Sequence, residues 1–172
     1  MKYNAMLHII IIKKYISFML LDKFTNLSQQ WRRINALWYK IFMNYLEQRN
    51  FTYTESIVLL ATLSLNKPSK SDISNYMRCE PQSITRAINS LLSKKLLKRY
   101  VDTKDKRVVR FELTELGKEF SVKTQDFINI NWQKSLGHID NKDLNIFTKQ
   151  LDEMIINLES LTNVDKTEKE SN

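Results

Sequence analysis

Between Asn26 and about Arg49, apolar residues fall at Leu27, Trp31, Ile34, Trp38, Ile41 and Tyr45. Steps of four and three alternate, the spacing of one stripe on a long helix. Leu37, Phe42 and Leu46 widen the stripe. So broad a face buries either against another chain or inside this one, and spacing alone leaves both open. The stretch before it, "MLHIIIIKKYISFMLL", is apolar but broken by Lys13 and Lys14. It lacks the ~20 largely apolar residues of a membrane span. It also lacks the unbroken apolar core and small-residue cleavage site of a signal peptide. Residues 1–25 therefore read as an added helix or strand-like arm that packs on a partner surface.

Shorter elements follow. Thr52 and Glu55 have capping-box spacing, and the apolar run "IVLLATLSL" continues from them until Asn66, Lys67 and Pro68 end the helix. Ser69 and Asp72 repeat the box and open a short helix whose apolar residues are Ile73, Tyr76 and Met77. Pro81 stands where a first helical residue is favoured, and a helix to about Lys94 follows. Ile84, Ile88, Leu91 and Leu92 are its expected core stripe. Its opposite side carries Gln82, Ser83, Thr85, Arg86 and Asn89, without a carboxylate. Ordinary solvent faces mix Glu with Lys. Amides, hydroxyls and guanidinium groups are the groups that bond base edges and phosphates. A short helix, a tight turn and a second helix with such a face describe a helix-turn-helix.

The runs 96–101 ("LLKRYV") and 107–113 ("RVVRFEL") read as two strands of a hairpin. In the second, Val109, Phe111 and Leu113 alternate with Val108, Arg110 and Glu112, as period-two burial requires. The tip between the strands holds Lys104, Asp105, Lys106 and Arg107. A hairpin directly after a recognition helix is the wing of a winged helix-turn-helix. An Arg on a slender tip suits the negative potential of a narrow minor groove. Asp105 is expected to pair with a neighbouring cation and stiffen the tip. The alternative is an ordinary charged turn. Two helices complete the chain, one from Thr114 to about Ile130 and one from Asp140 to Leu161, with the stripe Leu144, Phe147, Leu151, Met154 or Ile155, Leu158, Leu161. Residues 163–172 are a polar tail.

Composition sharpens this. Only two Gly and two Pro in 172 residues oppose a loop-rich or all-β fold. A single Cys, Cys79, excludes an intramolecular disulfide and fits the reducing cytoplasm. The net charge of +8 lies entirely within residues 66–110, which hold twelve Lys or Arg and four Asp or Glu. That is either a solvated basic face or a surface for a polyanion. No metal-binding, phosphate-loop or nucleophile motif occurs, so neither catalysis nor a cofactor nor a metal is expected. His138, in a loop beside Gly137, reads as structural. Cys79, before the recognition helix, reads as a small packing residue, with oxidant sensing as the alternative.

The segment "SDISNYMRCEPQSITRAINSLLSKKLLKRYVDTKDKRVVRFELTELGKEF" resembles the MarR family of bacterial and archaeal transcription regulators. The family pattern appears as Thr85-Arg86, Leu91, Leu96-Leu97, the wing motif Asp102, Asp105, Arg107, then Leu113-Thr114 and Gly117. Two positions depart from it. Lys95 stands where Gly is usual and must take a helix C-cap that Gly would make easier. Lys104 stands where Arg is usual, which keeps a cation but loses a bidentate donor. The similarity is strong over about residues 50–120.

The resemblance implies a mostly α winged helix-turn-helix with one β-hairpin. Residues 51–113 would contact DNA, while residues 26–50 and 114–162 would interlock two copies into a homodimer. Duplex DNA with a pseudo-palindromic operator is the expected partner, and no membrane is. Gln82, Ser83, Thr85, Arg86 and Asn89 would read the major groove. Lys104, Asp105, Lys106 and Arg107 would form the wing contact, and Ser69 and Lys70 would touch phosphate. Trp31, Trp38 and Trp132 would line a crevice for a small aromatic ligand, or else serve as core. A dimeric winged-helix adaptor acting through protein contacts is the competing reading.

Overall fold

No Gly or Pro interrupts residues 2–47, and the chain forms one continuous helix there, α1 (Lys2–Glu47). The structure, a computed structural model, describes the backbone of residues 2–170 and the side chains of residues 22–161. The break expected near residue 25 is absent. Lys13 and Lys14 interrupt the apolar pattern, but nothing there interrupts the backbone hydrogen bonding of a helix. What the side chains of residues 1–21 pack on, and the polar tail from residue 163, lie outside the described residues.

The remaining elements are α2 (Tyr53–Leu65), α3 (Lys70–Met77), α4 (Pro81–Ser93), β1 (Leu97–Val101), β2 (Val109–Leu113), α5 (Glu115–Leu136) and α6 (Asn141–Glu170). Both expected capping boxes form. Thr52 and Glu55 satisfy each other's backbone N–H at the start of α2, and Ser69 and Asp72 do so at α3. Each removes an orphan donor at a helix start. Pro81 opens α4. Helices α5 and α6 run on beyond the expected ends near Ile130 and Leu161, as no proline lies in either segment.

The chain divides into two compact units, residues 1–121 and 122–172. In the first, Val58, Leu59, Ala61, Ile73, Ile84, Ala87, Ile88, Leu91, Leu96, Leu97 and Phe111 form one core. Helices α2, α3 and α4 and the hairpin all contribute to it. Leu92 packs at its margin, while Ala87, unnoticed in the periodicity, is buried. Fully burying an Ile such as Ile84 is worth about 2 kcal/mol.

Strands β1 and β2 pair antiparallel, Leu97 opposite Leu113 through Val101 opposite Val109. The pairing is shorter than expected, and Arg107 and Val108 belong to the turn. Only Phe111 in β2 is fully buried. Val109 and its partner Val101 are exposed, because the outer half of the hairpin projects past the core and neither face is covered. Period-two burial therefore holds only at the root of the wing.

Two backbone positions explain sequence features. Lys95 adopts φ 57°, the left-handed cap that the missing glycine would favour. Gly117 packs so closely that a Cβ would lie 2.0 Å from the Leu96 carbonyl oxygen. Thr114 caps α5 by accepting the Gly117 N–H at 3.1 Å, and its hydroxyl donates to the Lys95 carbonyl at 2.8 Å. The Leu-Thr-x-x-Gly signature thus welds the start of α5 to the exit of α4.

The long stripes of α1 and α6 fare differently. On α1, Phe42, Tyr45 and Leu46 are buried, whereas Leu27, Trp31, Ile34, Leu37 and Ile41 are exposed. On α6, Phe147, Ile155, Leu158 and Leu161 are exposed. Within one chain these stripes are largely uncovered.

Candidate nucleic-acid interface

Helix α4 turns Ile84, Ala87, Ile88 and Leu91 into the core, which directs Gln82, Ser83, Thr85, Arg86 and Asn89 outward. All five are exposed, as the sequence pattern requires. Their availability differs. Ser83 donates its hydroxyl to the Glu80 carbonyl at 2.6 Å, and Thr85 donates to the Pro81 carbonyl at 3.2 Å. Among the described residues, the side chains of Gln82, Arg86 and Asn89 have no intramolecular partner. These three keep their full donor and acceptor sets for a ligand. An open, polar groove of about 500 Å³ runs beside them, lined by Thr52, Thr54, Glu55, Gln82, Ser83 and Arg86 among others.

A buried network fixes α4 from behind. Glu55 accepts from the Ser90 hydroxyl at 2.5 Å and from Lys94 Nζ at 2.9 Å, while its other oxygen accepts the Thr52 N–H at 2.8 Å. Burial pushes the Glu55 carboxyl up, but hydrogen bonds from Ser90, Thr52 and Lys94, with the Lys94 charge, outweigh it and hold the group below its usual 4.5. The Lys94 ammonium also lies 4.5 Å from the centre of the Phe51 ring. Neither Glu55 nor Lys94 stood out in the sequence as a pair, since 39 residues separate them.

At the other edge, Ser69 gives its N–H and its hydroxyl to Asp72, each at 2.8 Å. That leaves the phosphate role expected of the pair to the adjacent Lys70, which has no intramolecular partner among the described residues.

The wing tip places Lys104, Asp105, Lys106 and Arg107 in solvent. Asp105 does not pair with a side-chain cation as expected. Its carboxylate accepts the backbone N–H of Arg107 at 3.0 Å, because a two-residue reach suits an Asx turn better than an extended ion pair. The stiffening carboxylate is Asp102. One oxygen accepts the N–H groups of Lys104 at 2.7 Å and Asp105 at 3.0 Å, and the other accepts from Arg110 Nε. The Arg110 guanidinium and those two N–H groups hold the Asp102 carboxyl down at about 2.

The basic segment is only partly neutralised. Lys67 and Lys98 both pair with Glu112, Lys94 with Glu55, and Arg110 with Asp102 and Asp72. Among the described residues, Lys70, Arg86, Lys95, Arg99, Lys104, Lys106 and Arg107 have no carboxylate partner. These cations lie on α3, α4 and the hairpin and its junctions.

The other expected residues lie apart. Trp31 and Trp132 are exposed and Trp38 is half-buried, with Trp31 and Trp38 in the first unit and Trp132 in the second. Neither the groove beside α4 nor a second one of about 310 Å³ near Tyr76 is lined by a tryptophan. Cys79 is half-buried against the core. Among the described residues, no cluster of His, Cys, Asp or Glu could hold a metal, and no helix is long and apolar enough to cross a membrane.

A helix pair joined by a tight turn, an outward polar face on the second helix and a two-stranded hairpin after it define a winged helix-turn-helix. Residues 40–126 match the model of the family "Transcriptional regulator SarA/Rot". With half of its length matched, the chain belongs to the SarA/Rot family, a family of transcriptional regulators rather than of enzymes. Solved structures share the fold. S. aureus MepR in a DNA complex is 20% identical, covers 76% of this chain and 95% of its own, and superposes with a TM-score of 0.69. Streptococcus pneumoniae FabT in complex with DNA is 20% identical over 76% of this chain and 99% of its own, with a TM-score of 0.60. A MarR family protein from Bacillus stearothermophilus is 18% identical over 78% of this chain and 94% of its own, with a TM-score of 0.66. No curated protein matches the sequence significantly. The resemblance to MarR regulators thus holds in the fold, and the family is SarA/Rot.

Proposed function

We propose that this regulator reads double-stranded DNA sequence-specifically, as a homodimer on pseudo-palindromic sites. The observation that carries the reading is the unpaired set Gln82, Arg86 and Asn89 on α4, flanked by cations without carboxylate partners. Amides and a guanidinium free on one helix face match base edges in a major groove. Lys70, Lys104, Lys106 and Arg107 on either side match phosphates and a minor groove. The DNA complexes of MepR and FabT, built on the same fold, support the same use of it.

The exposed apolar stripes of α1 and α6 support the second copy, since stripes of this length are covered in a stable protein. Control by a small aromatic ligand belongs to the same proposal. Trp31, Trp38 and Trp132 would report it through a change in fluorescence on adding aromatic carboxylic acids.

The decisive experiment is a gel shift against a random duplex pool, followed by a salt series on the selected sequence. Selection of a two-fold symmetric site is expected. With about four phosphate contacts per protomer, the log–log salt slope of a dimer would be ~−7. Failure to enrich any duplex, with a flat salt response, would favour the protein-contact adaptor instead.

A further inference from the structure

Arg110 is the most connected cation of the hairpin, and it faces away from the tip. Its Nε donates to Asp102, and one terminal nitrogen donates to the Lys67 carbonyl at 3.2 Å. The same nitrogen lies 3.6 Å from Asp72 Oδ2. These three acceptors belong to three places: the wing tip, the α2–α3 loop and the cap of α3. The backbone reinforces the junction, because Ser69 and Arg110 form an isolated β-bridge and the Phe111 N–H donates to the Pro68 carbonyl at 2.8 Å.

Each acceptor has a second task. Asp72 completes the capping box of α3 with Ser69. Asp102 organises the tip through the N–H groups of Lys104 and Asp105, and Asp105 in turn holds the N–H of Arg107. A continuous chain of directional bonds therefore runs from the cap of α3, through the Arg110 fork, to the backbone of Arg107. An Arg in a wing would ordinarily be counted as a DNA contact. This one is already engaged, with its donors turned toward α3.

We propose that Arg110 is a positioning residue that sets where the wing tip, and with it Arg107, stands relative to α3 and α4. The inference rests on the DNA-reading wing proposed above. Rigid network members of this kind couple strongly, so removing either end of the chain has non-additive effects. A planar fork serves three acceptors in fixed directions, which a lysine ammonium cannot do.

The test compares the parent, Arg107→Ala, Arg110→Ala, Arg110→Lys, Asp102→Asn and the Arg107→Ala/Arg110→Ala double variant. Each binds two duplexes that differ only in the flank beside the half-site, A·T-rich or G·C-rich, at one salt concentration. Arg107→Ala is expected to lose roughly tenfold on the A·T-rich flank, the scale of one coupled contact. Arg110→Ala should lose a similar factor on that flank alone, and the double variant should lose no more than either single one. Arg110→Lys should fail to restore flank discrimination. Asp102→Asn should also weaken binding, although it removes a negative charge beside DNA.

Amide hydrogen exchange of the free proteins supplies a readout without DNA. Exchange at Lys104, Asp105 and Arg107 should quicken in Arg110→Ala while the α4 core amides stay protected. Unchanged exchange there, full rescue by lysine, or equal and additive losses on both flanks would overturn the positioning role. Loss of flank dependence in the parent itself, with exchange still altered in Arg110→Ala, would sink the DNA-reading wing and leave the structural chain standing.

Discussion

Asn89 and Lys70 present different chemistry to the same ligand. Asn89 offers a donor and an acceptor side by side, the pattern that fits an adenine edge. Lys70 offers a point charge beside the start of α3, which fits any phosphate. Asn89→Ala is therefore expected to relax base preference, costing about 1–3 kcal/mol on the preferred site and little elsewhere. Lys70→Ala should weaken all sequences alike and lower the salt slope by about 1. Competition binding against a panel of single-base variants checks both, and uniform losses from both substitutions would remove α4 from the reading role. At this scale the sequence was informative where a residue's partner is local. Both capping boxes, Pro81 and the Lys95 cap were legible because they depend on neighbours within four positions. The partner of Asp105 was misjudged, since backbone N–H groups in a tight turn compete with side-chain cations and pattern does not weigh them.

Helix α4 is held by its packing face and by one buried carboxylate. Glu55 joins the start of α2 to Ser90 and Lys94 near the end of α4. Glu55→Gln keeps the shape but loses the charge-assisted bonds. It should cost about 1–2 kcal/mol near neutral pH, the lower end because Lys94 is partly solvated. The pH dependence has a definite sign. The Glu55 pKa is lowered in the folded chain from its ordinary 4.5, so its contribution is fully present above 4.5 and fades as pH falls through the folded value. Urea denaturation of parent and variant should show a gap at pH 7 that narrows below pH 4.5. A gap that stays constant into the acid range would mean that Glu55 acts by packing alone. The elements themselves were readable from periodicity and caps, while their lengths were less so. Helices α1, α5 and α6 continue until something stops them, and their apolar patterns fade before their backbones do.

Across the whole molecule, the uncovered stripes carry the strongest expectation. Leu27, Trp31, Ile34, Leu37 and Ile41 on α1 and Phe147, Ile155, Leu158 and Leu161 on α6 remain in solvent in a single chain. Sedimentation should give twice the 20.5-kDa chain mass. Ile34→Glu should shift the population toward monomer and weaken DNA binding together, because a half-site alone forfeits the second protomer's contacts. A monomeric parent that still selects a two-fold symmetric duplex would contradict this assembly.

The winged helix-turn-helix, its capping boxes, the outward face of α4 and the segmental charge were determined by sequence alone. Each rests on spacing within one element or on composition, which the chain carries locally. Tertiary structure decided which cations remain available. Glu55 withdraws Lys94, Glu112 withdraws Lys67 and Lys98, and Asp102 with Asp72 withdraws Arg110. Those pairings join residues far apart in the chain, and only folding brings them within the few ångströms at which charges and hydrogen bonds act.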